Sequence, residues 1–217
     1  MNLNLFQPAE EDDSTKNLLG PGTAILRGFA LSQETEILAA LREVAALSPF
    51  RHMITPGGFR MSVALTNCGD LGWITDRKGY RYDGIDPESQ KPWPAMPTSF
   101  HQLATAAAEA AGFRNFISDA CLMNRYEPGA RLTLHQDKDE KDFRHPIVSV
   151  SLGIPAVFLF GGDKRADKIA RISVTHGDVI VWGGPARLRF HGIMPLKPNA
   201  HPLVGAYRYN LTFRKAG

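Results

Sequence analysis

Cysteine is scarce in this chain of 217 residues: Cys68 and Cys121 are the only two, and they form no CxxC or other paired spacing. That excludes a disulfide-built scaffold and suits a reducing compartment. No apolar run approaches the roughly 20 residues of a membrane span. The N-terminal stretch MNLNLFQPAEEDDSTKN has no basic segment followed by an apolar one, so neither a membrane anchor nor a secretory signal is expected. These absences point to the cytoplasm. Internal repeats and low-complexity tracts are also missing. Charge of neither sign dominates: 25 basic residues stand against 22 acidic ones, a net of +3. Such a balance permits a polyanionic partner without demanding one.

What is present is an ordinary globular composition, 43% hydrophobic, enough for one core. Residues 1–20, with the acidic run Glu10, Glu11, Asp12 and Asp13, read as a weakly ordered terminal segment. A single domain is expected over 21–217. SQETEILAALREVAAL reads as a helix capped by Ser32, with Glu34 and Glu36 at its positive end and Ile37, Leu38, Leu41 and Val44 on one stripe. TSFHQLATAAAEAAG reads as a second, capped by Thr98 and stopped at Gly112. Between them, FRMSVALTNC alternates like a strand, and residues 69–97 are rich in glycine, proline and aromatics with little periodicity. A loop-rich stretch of that length is usually functional or disordered, and Trp73, Tyr80 and Tyr82 give it anchors that argue for order.

From about residue 113 the chain becomes a series of short β-branched and aromatic runs separated by Gly and Pro. About seven such runs, with FRMSVALTNC as an eighth, predict a mainly β fold with flanking helices: a two-sheet jelly roll carrying both helices on one outer face.

In LTLHQDKDE, residues 132–140, His135, Asp137 and Asp139 alternate. On an extended chain they would share one side and could hold a cation, although a polar strand end would look the same. His191, before a glycine at the end of RLRFHGI, is the favoured second histidine. Two histidines and a carboxylate on one side of a metal leave its other positions open, as in non-haem Fe(II) oxygenases. Spacing does not exclude His145, His176 or His201. RYNLTFR places Arg208, Asn210, Thr212 and Arg214 on one face and Tyr209, Leu211 and Phe213 on the other. If the polar face turns inward it needs an anion, and a small dicarboxylate suits the arginine fork. Asn124 and Tyr126 alternate in CLMNRYEPG and offer hydrogen bonds to the same acid.

Taken together, NRYEPGARLTLHQDKDE, PIVSVSLGIPAVFLFGG, HGDVIVWGG with RFHGI, and RYNLTFR resemble the AlkB family of Fe(II)- and 2-oxoglutarate-dependent dioxygenases. The resemblance runs from about Ala24 to Arg214 and includes the lid strings TPGGFRMSVALTNCGDLGW, KGYRY and KPWPAMP. It implies a double-stranded β-helix (jelly-roll) core, about 113–217, under a nucleotide-recognition lid, about 50–97. It implies iron ligands at His135, Asp137 and His191, and 2-oxoglutarate contacts at Asn124, Arg125, Tyr126, Arg208, Asn210 and Arg214. Contacts to a methylated nucleotide are implied at Trp73, Tyr80, Arg81, Tyr82, Asp139 and Arg165. The activity implied is oxidative demethylation of bases of the 1-methyladenine and 3-methylcytosine type. It consumes dioxygen and 2-oxoglutarate and releases formaldehyde, succinate and CO2. The implied partner is alkylated DNA, single- or double-stranded, with RNA open; no membrane is involved and the protein is expected to act as a monomer. Two alternatives stand beside this: the same scaffold acting on a peptide, RNA or small metabolite, and a metal-dependent nucleic-acid-binding module without turnover.

Overall fold

Alternation of apolar and polar residues through the second half of the chain builds two antiparallel sheets. The computed structural model describes residues 16–217, so the acidic run at 10–13 lies outside the described residues. Chain order is β1 (Lys16–Gly20), β2 (Thr23–Leu26), α1 (Glu34–Leu47), β3 (Ala64–Gly69), β4 (Gly72–Asp76), β5 (Gly79–Asp83) and α2 (Thr98–Ala110). Then follow β6 (Ala120–Tyr126), β7 (Leu132–His135), β8 (Ile147–Gly153), β9 (Ala156–Phe160), β10 (Ala170–Val174), β11 (Val179–Trp182), β12 (His191–Ile193) and β13 (Arg208–Arg214). The major sheet has the order β1-β2-β11-β8-β13-β6-β3, the minor sheet β10-β9-β12-β7, and β4-β5 form a separate hairpin.

The expected jelly roll with both helices on one outer face is what the chain adopts. Leu38 and Leu41 of α1 and Phe100 and Leu103 of α2 pack on Val148, Val150, Leu211 and Phe213 of the major sheet. A second core fills the space between the sheets, with Ile25, Tyr126, Ile180 and Trp182 from one side and Phe158, Phe160, Ile172 and Ile193 from the other. Cys68 and Cys121 are buried free thiols directly opposite each other on β3 and β6, so they serve as packing residues. Among the described residues, no helix is long and apolar enough to cross a membrane.

Local departures from expectation have local causes. Lys16–Gly20 pairs with β2 as the edge of the major sheet, so order begins before residue 21. FRMSVALTNC is strand only from Ala64 onward; its first half is a turn closed by the Ile54↔Arg60 bridge. Ser32 does not cap α1: it lies in a short 3-10 turn, and the residue at the helix boundary, Gln33, makes no side-chain cap. Thr98 is the first residue of α2 and not its cap, which is Pro97, again without a side-chain bond. In both cases the helix start is held by packing of its apolar stripe instead.

Polar contacts hold the segment 50–97 together internally. Arg51 donates to both carboxylate oxygens of buried Asp86 and lies over the Trp93 ring at 5.3 Å. Burial pushes the Asp86 carboxyl up, but the hydrogen bonds from Arg51, the Glu88 amide and Ser89, together with the Arg51 charge, outweigh it and hold the group below the usual carboxylate range. Trp93 Nε1 donates to the Asp83 carbonyl at 2.9 Å, which ties this tryptophan to the end of β5.

Candidate active site

β13 runs through the middle of the major sheet, paired with β8 on one side and β6 on the other. Tyr209, Leu211 and Phe213 face the helices. The opposite face is therefore forced between the sheets, and Arg208, Asn210, Thr212 and Arg214 are all buried there. Neighbouring strands support them. Arg208 Nη2 donates to Ser151 Oγ at 3.0 Å, and Asn210 Nδ2 donates to Ser149 Oγ at 2.8 Å and to the Val150 carbonyl at 2.9 Å. Thr212 Oγ1 donates to Asn210 Oδ1 at 3.0 Å. Ser149 and Ser151 were not singled out from the sequence. Their signal is the alternation Ser-Val-Ser in an otherwise apolar strand, which puts hydroxyls on the inner face.

Arg208 Nε and Nη1 and Arg214 Nη1 are buried without a hydrogen-bond partner. The Arg208 guanidinium lies over the Tyr126 ring at 4.9 Å, with no acid beside it among the described residues, and burial depresses its pKa below the usual arginine value. A buried cation with unused donors costs several kcal/mol unless an anion arrives. This is the electrostatic signature of a binding site for an acid.

Facing it across the sandwich, β12 and β7 make His191 and His135 direct cross-strand partners. Gly192 permits the close approach of the two strands, because a Cβ there would sit 2.6 Å from the Leu132 carbonyl. The imidazole rings lie 4.4 Å apart. His135 Nδ1 is 2.8 Å from the Thr133 carbonyl and His191 Nδ1 is 3.0 Å from the Arg189 carbonyl. A carbonyl only accepts, so each Nδ1 carries the proton and each Nε2 is left with a lone pair. Those Nε2 atoms lie 3.5 and 3.6 Å from the carboxylate oxygens of Asp137, and one donor atom from each of the three residues lies within 4.8 Å of the others. Two imidazole nitrogens and a carboxylate converging on one point suit a divalent first-row metal with open positions.

Arg214 joins the two halves. Its Nη2 and Nε donate to Asp137 Oδ2 at 2.6 and 3.1 Å. Burial opposes charge on Asp137, but Arg214 and then His191 outweigh it and keep the carboxyl well below the usual range. Burial, followed by the neighbouring His135, depresses His191 below the usual histidine value. Both shifts leave the groups in the forms that bind a metal.

These groups open into a cavity of about 880 Å³ whose lining includes Trp73, Tyr80, Asn124, Tyr126, His135, Asp137, Asp139, Arg165, His191, Arg208, Asn210 and Arg214. Three residues expected at the site lie outside that lining. Arg125 points to the other face of β6, with its guanidinium 5.2 Å from the Phe50 ring and 5.0 Å from the Tyr207 ring. The pleat that aims Asn124 and Tyr126 inward necessarily turns Arg125 outward. Arg81 is held in a two-bond pair with Asp76 of its own hairpin, at 3.1 and 2.8 Å. Tyr82 turns to the core, where its hydroxyl donates to Glu140 Oε1 at 2.9 Å. Of the rival histidines, His176 lies in the turn between β10 and β11, paired with Glu34 at 2.8 Å and stacked on His201 at 4.2 Å. His145 sits by Asp142 at 3.8 Å.

A model of the 2OG-Fe(II) oxygenase superfamily matches residues 22–214. The chain belongs to that superfamily. It is 58% identical over 215 residues to the Alpha-ketoglutarate-dependent dioxygenase AlkB of Escherichia coli (strain K12), covering 99% of this chain and 98% of that protein. It is 37% identical to the DNA N(6)-methyladenine demethylase ALKBH1D of Arabidopsis thaliana, covering 94% of this chain and 51% of that one. Among solved structures, that of OsALKBH1 superimposes with a TM-score of 0.78 at 28% identity, covering 92% of this oxygenase and 99% of that chain.

Two further residues of the oxygenase site escaped the sequence reading. Glu140 is fully buried, 3.1 Å from Arg187 Nη2 and 3.2 Å from Arg214 Nε. Arg187, also buried, donates from Nη1 to the Asp137 carbonyl at 2.8 Å. Their role depends on partners that are distant in sequence, so no local pattern announces them. Trp182 is a buried wall of the cavity, 4.9 Å from the His191 ring.

Proposed function

We propose that this oxygenase removes alkyl groups oxidatively from the bases of nucleic acids, with alkylated DNA as its principal substrate. The observation that carries the reading is that the metal-ligand triad and the acid-binding arginines open into the same cavity as an aromatic, acidic rim formed by Trp73, Tyr80 and Asp139.

The residues present fit the groups that the superfamily uses. His135, Asp137 and His191 would hold iron(II). 2-Oxoglutarate has a carboxylate at each end, and two buried arginines carry unpartnered donors in this cavity. Arg208 would take the remote carboxylate, supported by Tyr126, Asn124 and Asn210, and Arg214 the carboxylate beside the metal. Bound together, iron(II) and 2-oxoglutarate supply oxidation of a C–H bond by dioxygen, with release of succinate and CO2.

The chain's own residues then select and orient the base. Trp73 Nε1 donates to Asp139 Oδ2 at 2.8 Å, which fixes the indole plane at the cavity mouth. Tyr80 extends that surface, stacked on Trp73 with centroids 5.6 Å apart. In this reading a flipped base lies between Trp73 and the His135 ring, and Asp139 favours a positive charge at the rim. Methylation at N1 of adenine or N3 of cytosine makes the base cationic and blocks its pairing. Both changes favour extrusion, and a cationic ring gains about 0.5–2 kcal/mol on an indole face. Arg165, held over the Phe190 ring at 5.2 Å, and exposed Lys138 are placed to meet backbone phosphates. The buried walls Trp182 and Phe158 exclude bulk water behind the ligands. Oxidised N-methyl groups collapse without further catalysis to formaldehyde and the unmodified base.

The test is incubation with iron(II), 2-oxoglutarate and single- and double-stranded DNA and RNA oligonucleotides carrying 1-methyladenine or 3-methylcytosine. Formaldehyde release is expected, fastest from DNA. No release from any oligonucleotide, with succinate still formed from 2-oxoglutarate, would overturn the reading of the substrate.

A further inference from the structure

We propose that Glu140 is a positioning residue that aims Arg214 at the co-substrate and pins the lid to the same point. The inference rests on the assignment of Arg214 to 2-oxoglutarate made above. Glu140 follows the metal-ligand segment and its side chain is 1% exposed. Arg187 neutralises it, its Nη2 forming an ion pair with Oε2 at 3.1 Å while its Nη1 donates to the Asp137 carbonyl at 2.8 Å. One guanidinium therefore grips both ends of the stretch from Asp137 to Glu140.

The other carboxylate oxygen, Oε1, has two neighbours. The Tyr82 hydroxyl donates to it at 2.9 Å, and Arg214 Nε forms an ion pair with it at 3.2 Å. On Arg214 this leaves a defined division of labour. Nε and Nη2 donate to Asp137 at 3.1 and 2.6 Å, the Glu140 carboxylate faces the Nε side as an ion-pair partner, and Nη1 is buried without a partner. Glu140 thus fixes the rotation of the guanidinium so that its unused donor is the one offered to a ligand.

Tyr82 belongs to the lid. It is the direct cross-strand partner of Trp73 in the β4–β5 hairpin, and the pair reaches adjacent core residues, Trp73 to Asp139 and Tyr82 to Glu140. The first bond lies at the exposed rim, where a base would enter. The second is shielded, and among the described residues it is the one side-chain hydrogen bond from β5 to the jelly roll. Because Tyr82 and Arg214 share one oxygen, any event that reorients Glu140 acts on both. Linkage makes this reciprocal: lid docking and co-substrate affinity change together.

The decisive variant is Tyr82→Phe, which removes one hydroxyl outside the cavity lining. Calorimetric titration of 2-oxoglutarate into protein loaded with Mn(II) is expected to show affinity weakened about five-fold, the lower end of typical coupling. Glu140→Gln should weaken it further, and the two changes combined should cost less than the product of the separate effects. Hydrogen exchange supplies a readout independent of turnover. In the wild type 2-oxoglutarate should slow exchange of the amides of residues 79–83; in Tyr82→Phe that slowing should disappear. Unchanged 2-oxoglutarate affinity in Tyr82→Phe, or the same ligand-induced protection of 79–83 as in the wild type, overturns the proposal. Arg208→Met is the control. If it loses 2-oxoglutarate while Tyr82→Phe binds normally, the site assignment stands and the role of Glu140 falls. If neither variant affects binding, the site assignment itself has failed.

Discussion

Arg208→Met should make the ligand-free protein more stable and leave it unable to use its co-substrate. Arg208 is 2% exposed, its Nε and Nη1 are unpartnered, and among the described residues no carboxylate pairs with it. Its single side-chain hydrogen bond, to Ser151, is 3.0 Å long. Methionine of similar volume removes the buried charge and keeps most of the packing on Tyr126. Replacing a buried charge by a well-packed apolar side chain is neutral or stabilising by about 1–4 kcal/mol. At this size each kcal/mol moves the melting temperature by about 2–4 °C. Binding moves the other way. A hydrogen bond to a charged group is worth about 1.5–3 kcal/mol. Loss of the two orphaned donors therefore removes at least about 3 kcal/mol, a factor of roughly 100 or more in 2-oxoglutarate affinity. The assay is thermal unfolding of wild type and variant, each with Mn(II), with and without saturating 2-oxoglutarate. The wild type should gain stability on adding ligand, about 2.7 kcal/mol at 100 times Kd; the variant should start higher and gain nothing. A variant that melts lower than wild type and still responds to 2-oxoglutarate would refute the reasoning.

Other consequences are equally direct. Asp139→Ala frees the Trp73 indole and removes the rim carboxylate. The preference in kcat/KM for 1-methyladenine over a neutral lesion should fall roughly ten-fold, about the worth of one charge-assisted contact, and an unchanged ratio would sink the role given to Asp139. Arg125→Met should leave the KM for 2-oxoglutarate within about two-fold, since the side chain lies outside the cavity and shares no partner with Arg208, while costing stability through two lost cation–π contacts; a large rise in KM would restore Arg125 to the site. Asp86, whose folded-state pKa is depressed, contributes stability that is present above its unfolded value of about 3.9 and is lost as pH falls through the lower folded value. Asp86→Asn should therefore flatten the acid limb of a stability-versus-pH curve below about pH 4, and an unaltered limb would show that the Arg51–Asp86 pair is not what acid breaks.

The legible parts of the site were those written in alternation. RYNLTFR announces a strand with one apolar face, and burial of Leu211 and Phe213 under the helices forces the two arginines inward. Alternation also brought His135 and Asp137 together, but strand geometry ends at His135. Beyond it the chain is a loop, and Asp139 turns to Trp73 instead of the ligands. Spacing alone could not separate the two acids; the family resemblance is what assigned Asp137 to the metal and Asp139 to the substrate. The same pleat that paired Asn124 with Tyr126 argues against Arg125, which resemblance had placed at the co-substrate. Glu140, Arg187 and Tyr82 were illegible as a group because their meaning is tertiary: a buried carboxylate is interpretable only with the two guanidiniums that neutralise it, 47 and 74 residues away in the numbering. Helix starts were misplaced because Ser32 and Thr98 are good cap residues that the packing of α1 and α2 did not require.

The central claim is that His135, Asp137 and His191 hold iron with 2-oxoglutarate beside it, anchored by Arg208 and Arg214. Its most direct test is anaerobic absorption spectroscopy of the protein with iron(II) and 2-oxoglutarate. A weak visible charge-transfer band is predicted that requires both additions and is absent from His191→Ala. No band from the wild type, or an undiminished band in His191→Ala, would contradict the account.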